Sequence, residues 1–185
     1  MMNTRSGFSM IELVFVIVIL GVLAAVAVPR FVTTRTDAQV AMARSDIAST
    51  LKAIPARVFA ENLDPTASAA PDGYASWGEW IIDTGGLDRS RWGVGGNPLP
   101  SVSATRGVQP IGNVRNNFAS STSPTANVTG GCGMALGIDG NGNLIFNPGH
   151  FGGQNTGTFC DNLKNSYPSG SNRIIPLATT GAVKF

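Results

Sequence analysis

The sequence predicts an α+β fold, in which a long N-terminal helix, membrane-spanning in its first half, packs its second half on a small antiparallel β-sheet. Three observations predict it. An apolar run from Leu13 to Val28 carries no charge and follows a lone carboxylate, Glu12. Apolar residues then recur at spacings of three and four from Val40 to Val58. Beyond Asp72, short apolar stretches alternate with Gly, Pro and Asn turns, the pattern of short strands. A chain of 185 residues suits one modest domain behind a membrane segment.

Residues 1–7 form a short leader whose charge is Arg5. From Met10 to Val28 the chain is apolar except for Glu12 and Gly21. At 1.5 Å per residue such a helix is about 28 Å long, close to the ~30 Å hydrocarbon core of a bilayer. Two readings of this segment stand. One is a retained anchor over 8–29. The other is a secretory signal peptide, with Ala25-Val26-Ala27 as its small-x-small site, cut after Ala27 and releasing a periplasmic binding domain. Glu12 lies inside what would be the signal's apolar region, the run is longer than such regions usually are, and helical patterning continues past the cut. A carboxylate deep in lipid costs on the order of 2.5–3.5 kcal/mol, so a Glu at the mouth of the run calls for a partner. Arg5 on one flank and Arg30 and Arg35 on the other leave orientation undecided by charge.

Over 30–62 an amphipathic helix is expected. Val40, Ala43, Ile47, Leu51, Ile54 and Val58 line one face, and Arg44, Asp46, Ser49, Lys52 and Arg57 the others. Pro55 predicts a kink or a restart near Ile54. Asn62-Leu63-Asp64-Pro65 reads as the stop. A helix from Phe8 to Asn62 would be roughly 80 Å long, too long to lie inside one small domain, so its first half must lie in a membrane or among neighbours.

The remainder, 63–185, is a β-rich head. Pro65 to Asp72 is a loop, and Tyr74, Trp77, Trp80, Ile81, Ile82 and Trp92 form an aromatic and aliphatic group. A Trp-rich group can be a carbohydrate surface; it is read here as core or subunit packing. Candidate strands are Val108–Ile111, Met134–Ile138, Leu144–Phe146, Arg173–Leu177 and Ala182–Phe185. Asp139-Gly140-Asn141-Gly142 signals a hairpin between two of them. Asp139, Asn141 and Asn143 also imitate the first ligands of a calcium loop. Leu144 and His150 stand where such a loop has its Gly and closing Glu.

Charged residues are only 13% of the chain and the net charge is +2, which makes no case for an acidic partner. The two cysteines, Cys132 and Cys160, form a disulfide if the domain is exported, and otherwise are buried thiols. The bond would close a loop of about 29 residues, worth roughly 3–4 kcal/mol. The pair and the neutral polar C-terminal half favour an exported C-terminus.

Gly7-Phe8-Ser9-Met10-Ile11-Glu12-Leu13, the short basic leader and the apolar run ending at Pro29 resemble a class III prepilin signal. The resemblance is to the type IV filament superfamily of type IV pilins and type II secretion pseudopilins, and it covers residues 1–63. It implies a pilin-like fold and cleavage between Gly7 and Phe8 by a prepilin peptidase. It also implies N-methylation of Phe8, and polymerisation through the N-terminal helix. Glu12 would neutralise the N-terminal amine of a neighbouring subunit, and the stretch between Gly21 and Pro29 would give the helix flexibility. The implied partners are copies of the chain, other pilins, an assembly ATPase and an inner-membrane platform protein. The precursor would be a single-pass inner-membrane protein, and the product a periplasmic or extracellular filament. A type IV pilus subunit is preferred to a secretion pseudopilin, because the polar C-terminal domain with its late cysteine pair resembles a pilin's disulfide-bounded region. Some pseudopilins bind calcium in a C-terminal loop, which keeps Asp139, Asn141 and Asn143 as candidate ligands in a chain otherwise expected to need no cofactor.

No phosphate loop, dinucleotide fingerprint or zinc helix motif occurs. His150 stands in an Asn-Pro-Gly-His-Phe loop with no fixed catalytic partner, so no enzyme is expected. Basic residues are scattered, with Arg89, Arg91, Arg106 and Arg115 the nearest to groups, and nucleic-acid binding is not expected.

Overall fold

A computed structural model describes residues 9–96, 98–111, 131–152 and 158–178, with the backbone alone over 26–34. The chain divides into two compact units at Ala38 and Gln39. Helix α1 runs Met10–Ala60, so each unit is described with its own part of it. Gly7, Phe8 and the strand expected at Ala182–Phe185 lie outside the described residues.

The first unit is α1 up to Ala38. Its described apolar side chains, from Met10 to Leu23, are between 42% and 86% exposed. Among the described residues, no helix is long and apolar enough to cross a membrane. The described side chains of the apolar run end at Ala25, whereas the span expected from the sequence extends over 8–29.

In the second unit the helix buries Val40, Ala43, Ile47, Ile54 and Val58, the stripe that the spacing predicts, with Leu51 half-buried. Pro55 does not restart it: α1 continues to Ala60. Proline forfeits one i to i−4 bond, and the tight burial of Ile54 and Val58 on either side offsets that loss. The stop falls where Asn62 predicts it. Asn62 takes φ 50°, Leu63 N–H donates to the Val58 carbonyl at 3.0 Å, and Leu63 packs on the core beside Val58. This is a Schellman cap with Asn at the left-handed position.

Five antiparallel strands follow in the order β1 to β5: β1 Trp92–Val94, β2 Gly107–Pro110, β3 Leu136–Ile138, β4 Asn143–Phe146 and β5 Arg173–Pro176. Helix α2, Trp77–Thr84, precedes the sheet, and α3, Thr158–Asn165, lies between β4 and β5. Four strands overlap the expected ones; β1, α2 and α3 were not expected. Register sets the two faces. Leu136 pairs with Phe146, and Ile138 with Leu144. All four are buried in the main core with α1 side chains, α2 tryptophans, Phe151 and Leu163. The opposite face is covered by a strap between β1 and β2, whose Leu99 and Val102 enclose Met134 and touch Ile145. Helix α2 lies close on the sheet because Gly78 has no side chain: a Cβ there would stand 2.5 Å from Val94 Cγ1 and 2.9 Å from the Gly107 carbonyl oxygen.

Candidate functional site

Ser9 stands immediately before α1, and its backbone N–H donates to Glu12 Oε2 at 3.0 Å. The Glu12 and Leu13 amides both turn back to the Ser9 carbonyl, at 3.0 and 3.3 Å. Ser9-Met10-Ile11-Glu12 thus has the S-x-x-E pattern of a capping box, with the carboxylate returning to the N-cap amide. An anion in a first helical turn also meets the positive end of the helix dipole, a contribution of about 0.3–1 kcal/mol at an exposed site. Behind it the apolar residues from Leu13 to Leu23 are exposed all round the helix. An α-helix in water hides one stripe and shows the other; a helix apolar on every side is covered by lipid or by other helices. Gly21 has nothing within 4 Å of where a Cβ would be, so its lack of a side chain answers no contact inside this subunit. Pro29 is within α1, in the part described by backbone alone.

The cysteines are joined. Cys132 and Cys160 have Cα atoms 5.2 Å apart and are both buried. The bond ties the entry to β3 to helix α3. The hairpin between β3 and β4 closes as the sequence predicts: Asp139 N–H donates to the Asn143 carbonyl at 2.9 Å, and Gly142 takes φ 76°. Asp139 is buried, at 5% exposure. Its Oδ1 accepts the Asn141 and Asn143 amides at 2.9 and 2.7 Å, and Oδ2 accepts Asn143 Nδ2 at 2.9 Å. In this arrangement both carboxylate oxygens accept hydrogen bonds from the turn. Among the described residues no group of three acidic, His or Cys side chains is placed to hold a metal ion.

Trp77, Trp80 and Trp92 are buried core residues. Trp77 and Trp80 meet edge to face with centroids 5.4 Å apart. The Trp77 indole N–H donates to the Ala67 carbonyl and that of Trp92 to Asp46 Oδ2, both at 2.9 Å. Aromatic rings so placed pack the core and leave no stacking face for a sugar.

Five described arginines of the head are turned onto the protein's own groups, while Arg173 on β5 is exposed. Arg44 donates to the Ser166 carbonyl and lies over the Tyr167 ring. Arg57 reaches Glu61, Asp72 and Thr84, and lies over Trp80. Arg89 pairs with Glu79, and Arg91 with Asp46 and Asp88. Arg106 donates to the carbonyls of Pro65, Ala67, Ile138 and Asp139 across the face of Trp77. Phosphate binding draws on basic side chains free to meet it, and these are engaged at home. His150 lies in a turn over Pro148–His150, and its Nδ1 has no hydrogen-bond partner among the described residues.

The roles of Ser9 and Arg106 differ in how far the sequence shows them. Ser9 carried a legible signal, the three-residue offset to Glu12 that marks a capping box. Arg106 carried none, because its partners are backbone carbonyls that only the fold assembles.

Residues 2–28 match a family model described as a prokaryotic N-terminal methylation motif. The chain is 34% identical over 89 residues to fimbrial protein Q of Moraxella bovis, covering 48% of this chain and 55% of that protein. It is 36% identical over 70 residues to a fimbrial protein of Pseudomonas aeruginosa, covering 38% and 45%. It is also 43% identical over 60 residues to type II secretion system core protein G of Pseudomonas aeruginosa, covering 32% and 39%. The chain spans about half the length of the fimbrial relatives it matches. No solved structure matches.

Proposed function

We propose that this chain, a member of the type IV pilin and pseudopilin superfamily, is a structural subunit of a type IV pilus-like filament. One observation carries the reading: a helix apolar on every described side, headed by a single carboxylate, in the segment that matches the methylation motif. Hydrolysis of the Gly7–Phe8 peptide by a prepilin peptidase on the cytoplasmic side leaves an amine on Phe8, which is then N-methylated. Cleavage before the apolar run keeps that run in the mature protein, where it anchors the subunit in the inner membrane with the head exported. The disulfide between Cys132 and Cys160 suits that exported side. In a packed apolar bundle an unpaired carboxylate or ammonium is heavily penalised, and pairing them removes the penalty. Docking of a subunit would bring the Phe8 amine of one chain to Glu12 of the next, so the charge sets axial register. An assembly ATPase and an inner-membrane platform protein would drive the process. The role is structural, not enzymatic.

The similarity to a type II secretion core protein favours a second reading within the same superfamily, a pseudopilin. A deletion strain separates them: loss of surface filaments with normal protein export supports the pilus, and failed export of secreted enzymes supports the pseudopilin. Mass spectrometry of the mature N-terminus tests what both share. A methylated Phe8 is the expected result. A free Val28 overturns it, since a cut after Ala27 discards both the amine at Phe8 and Glu12.

A further inference from the structure

We propose that Ser9 is a positioning residue for Glu12: its backbone N–H holds the carboxylate at the head of α1 in the unassembled chain. The superfamily reading gives Glu12 one partner, a neighbour's amine, and leaves it bare until that neighbour arrives. The structure gives it an earlier one. Ser9 N–H reaches Glu12 Oε2 at 3.0 Å, while the Glu12 and Leu13 amides anchor the same turn on the Ser9 carbonyl. These bonds occur in a single chain, so they do not depend on a filament.

Two consequences follow from the chemistry. The head of an apolar helix holds orphan N–H groups as well as a carboxylate, and each is costly where water is scarce. Pairing them within one chain lowers both costs together, and a precursor stored in the membrane carries neither bare. The bond also fixes the direction of the side chain before docking. Glu12 then meets an incoming cation as an oriented acceptor, not as a free rotor that must lose side-chain entropy on binding. The Ser76-Trp77-Gly78-Glu79 start of α2 shows the same sequence pattern used the other way: there Ser76 Oγ accepts the Glu79 amide at 3.2 Å. At α1 the carboxylate is the acceptor, and the bond turns on residue 12 rather than on the serine hydroxyl.

This inference rests on the filament reading for its docking step and on the observed bond for the rest. The test uses full-length precursor in detergent micelles and reads amide hydrogen exchange at Ser9 by NMR, alongside filament yield in cells. Glutamine keeps a carbonyl oxygen for the cap but no charge for an amine. In Glu12→Gln, Ser9 exchange should stay within about two-fold of wild type while filaments are lost. In Glu12→Ala, Ser9 should exchange about five-fold faster, the effect of losing one capping bond. Ser9→Ala keeps the backbone donor and should resemble wild type in the orientation of Glu12, read as unchanged Glu12 side-chain carboxyl shifts. Ser9 exchange in Glu12→Ala equal to wild type overturns the positioning role. Fast exchange in Glu12→Gln overturns it too, since the cap would then need the charge. Normal filaments from Glu12→Gln, with Ser9 still protected, would leave the cap standing and sink the charge-pairing account of assembly.

Discussion

Arg106 spreads one guanidinium over four backbone carbonyls, at Pro65, Ala67, Ile138 and Asp139, and lies 5.0 Å from the centre of the Trp77 ring. Burial pulls its pKa down, and the charges of Asp139 and Asp64 push back. The residue ties the loop after α1 to the end of the β3–β4 hairpin, two segments far apart in sequence. Arg106→Ala should lower unfolding stability by about 3 kcal/mol, because buried carbonyls lose a charged donor and Trp77 loses its cover. Arg106→Lys should recover less than half of that, since an ammonium cannot donate along a planar fork. Urea denaturation of the head checks both. Tyr167 gives a pH signature. Burial among Phe146 and Phe151 raises its pKa, and Arg44 only partly opposes this. A raised folded-state pKa means that its contribution is complete below the unfolded value near 10 and is lost as pH rises through the folded value. Thermal stability should therefore fall on titration above pH 10, and Tyr167→Phe should flatten that limb. An unchanged limb in the variant would assign it to other groups. At this scale the sequence was informative where neighbours are local. Glu12, Gly142 and Asn62 act on residues within a few positions, and their patterns are visible. Arg106 and Asp46 act across the fold, and no spacing announces them.

The helices show where local signals compete with composition. Helix α1 is legible at both ends and along its buried stripe, because caps and a 3.6-residue period leave a mark in the chain. Pro55 leaves the helix continuous: its missing bond is one local loss, and burial of Ile54 and Val58 outweighs it. Helix α2 was hidden by its tryptophans, which drew the segment Trp77–Trp80 toward an aromatic cluster. The Ser76-x-x-Glu79 start was its true sign, and Ser76 Oγ does cap the helix. Ser76→Ala should cost about 1 kcal/mol of head stability. At the other kind of end, Asn62→Gly should be neutral or stabilising by a few tenths of a kcal/mol, and Asn62→Ala destabilising by about 1 kcal/mol, because only glycine relaxes the φ of 50°. If alanine there were harmless, the left-handed cap would not be holding the end of α1. Helix α3 had little to show: Cys160 and Leu163 are its buried residues, on a short polar segment. What places it is a covalent bond, and spacing cannot pair cysteines with a helix that it has not revealed.

That bond decides how the head holds together as one body. The sheet is a meander in which each strand pairs with the next in sequence, but only β3 and β4 are joined by a tight turn; the partners in β2–β3 and β4–β5 lie far apart in the chain. Helix α3 enters between β4 and β5 and buries Cys160 and Leu163 against the core that α1, α2 and the sheet share. Eight residues of mainly polar helix have little apolar area with which to offset the entropy of docking. The link to Cys132 removes much of that entropy from the unfolded chain, roughly 3–4 kcal/mol for a loop of this size. Its loss should therefore be uneven. In Cys132→Ala/Cys160→Ala, the melting temperature of the head should fall by about 10 °C or more, with α3 and the turn at Pro148–His150 losing amide protection first. The pairing of β1 with β2 and the packing of α2 on them should persist below the melt, since Trp77, Trp80, Trp92 and Val108 remain buried without the bond. Hydrogen exchange followed by mass spectrometry reads both regions in one experiment. Uniform loss of protection over β1, β2 and α3 would show instead that the disulfide supports the whole head as a single cooperative unit. A variant that melted like wild type would mean that burial of Leu163 alone keeps α3 in place.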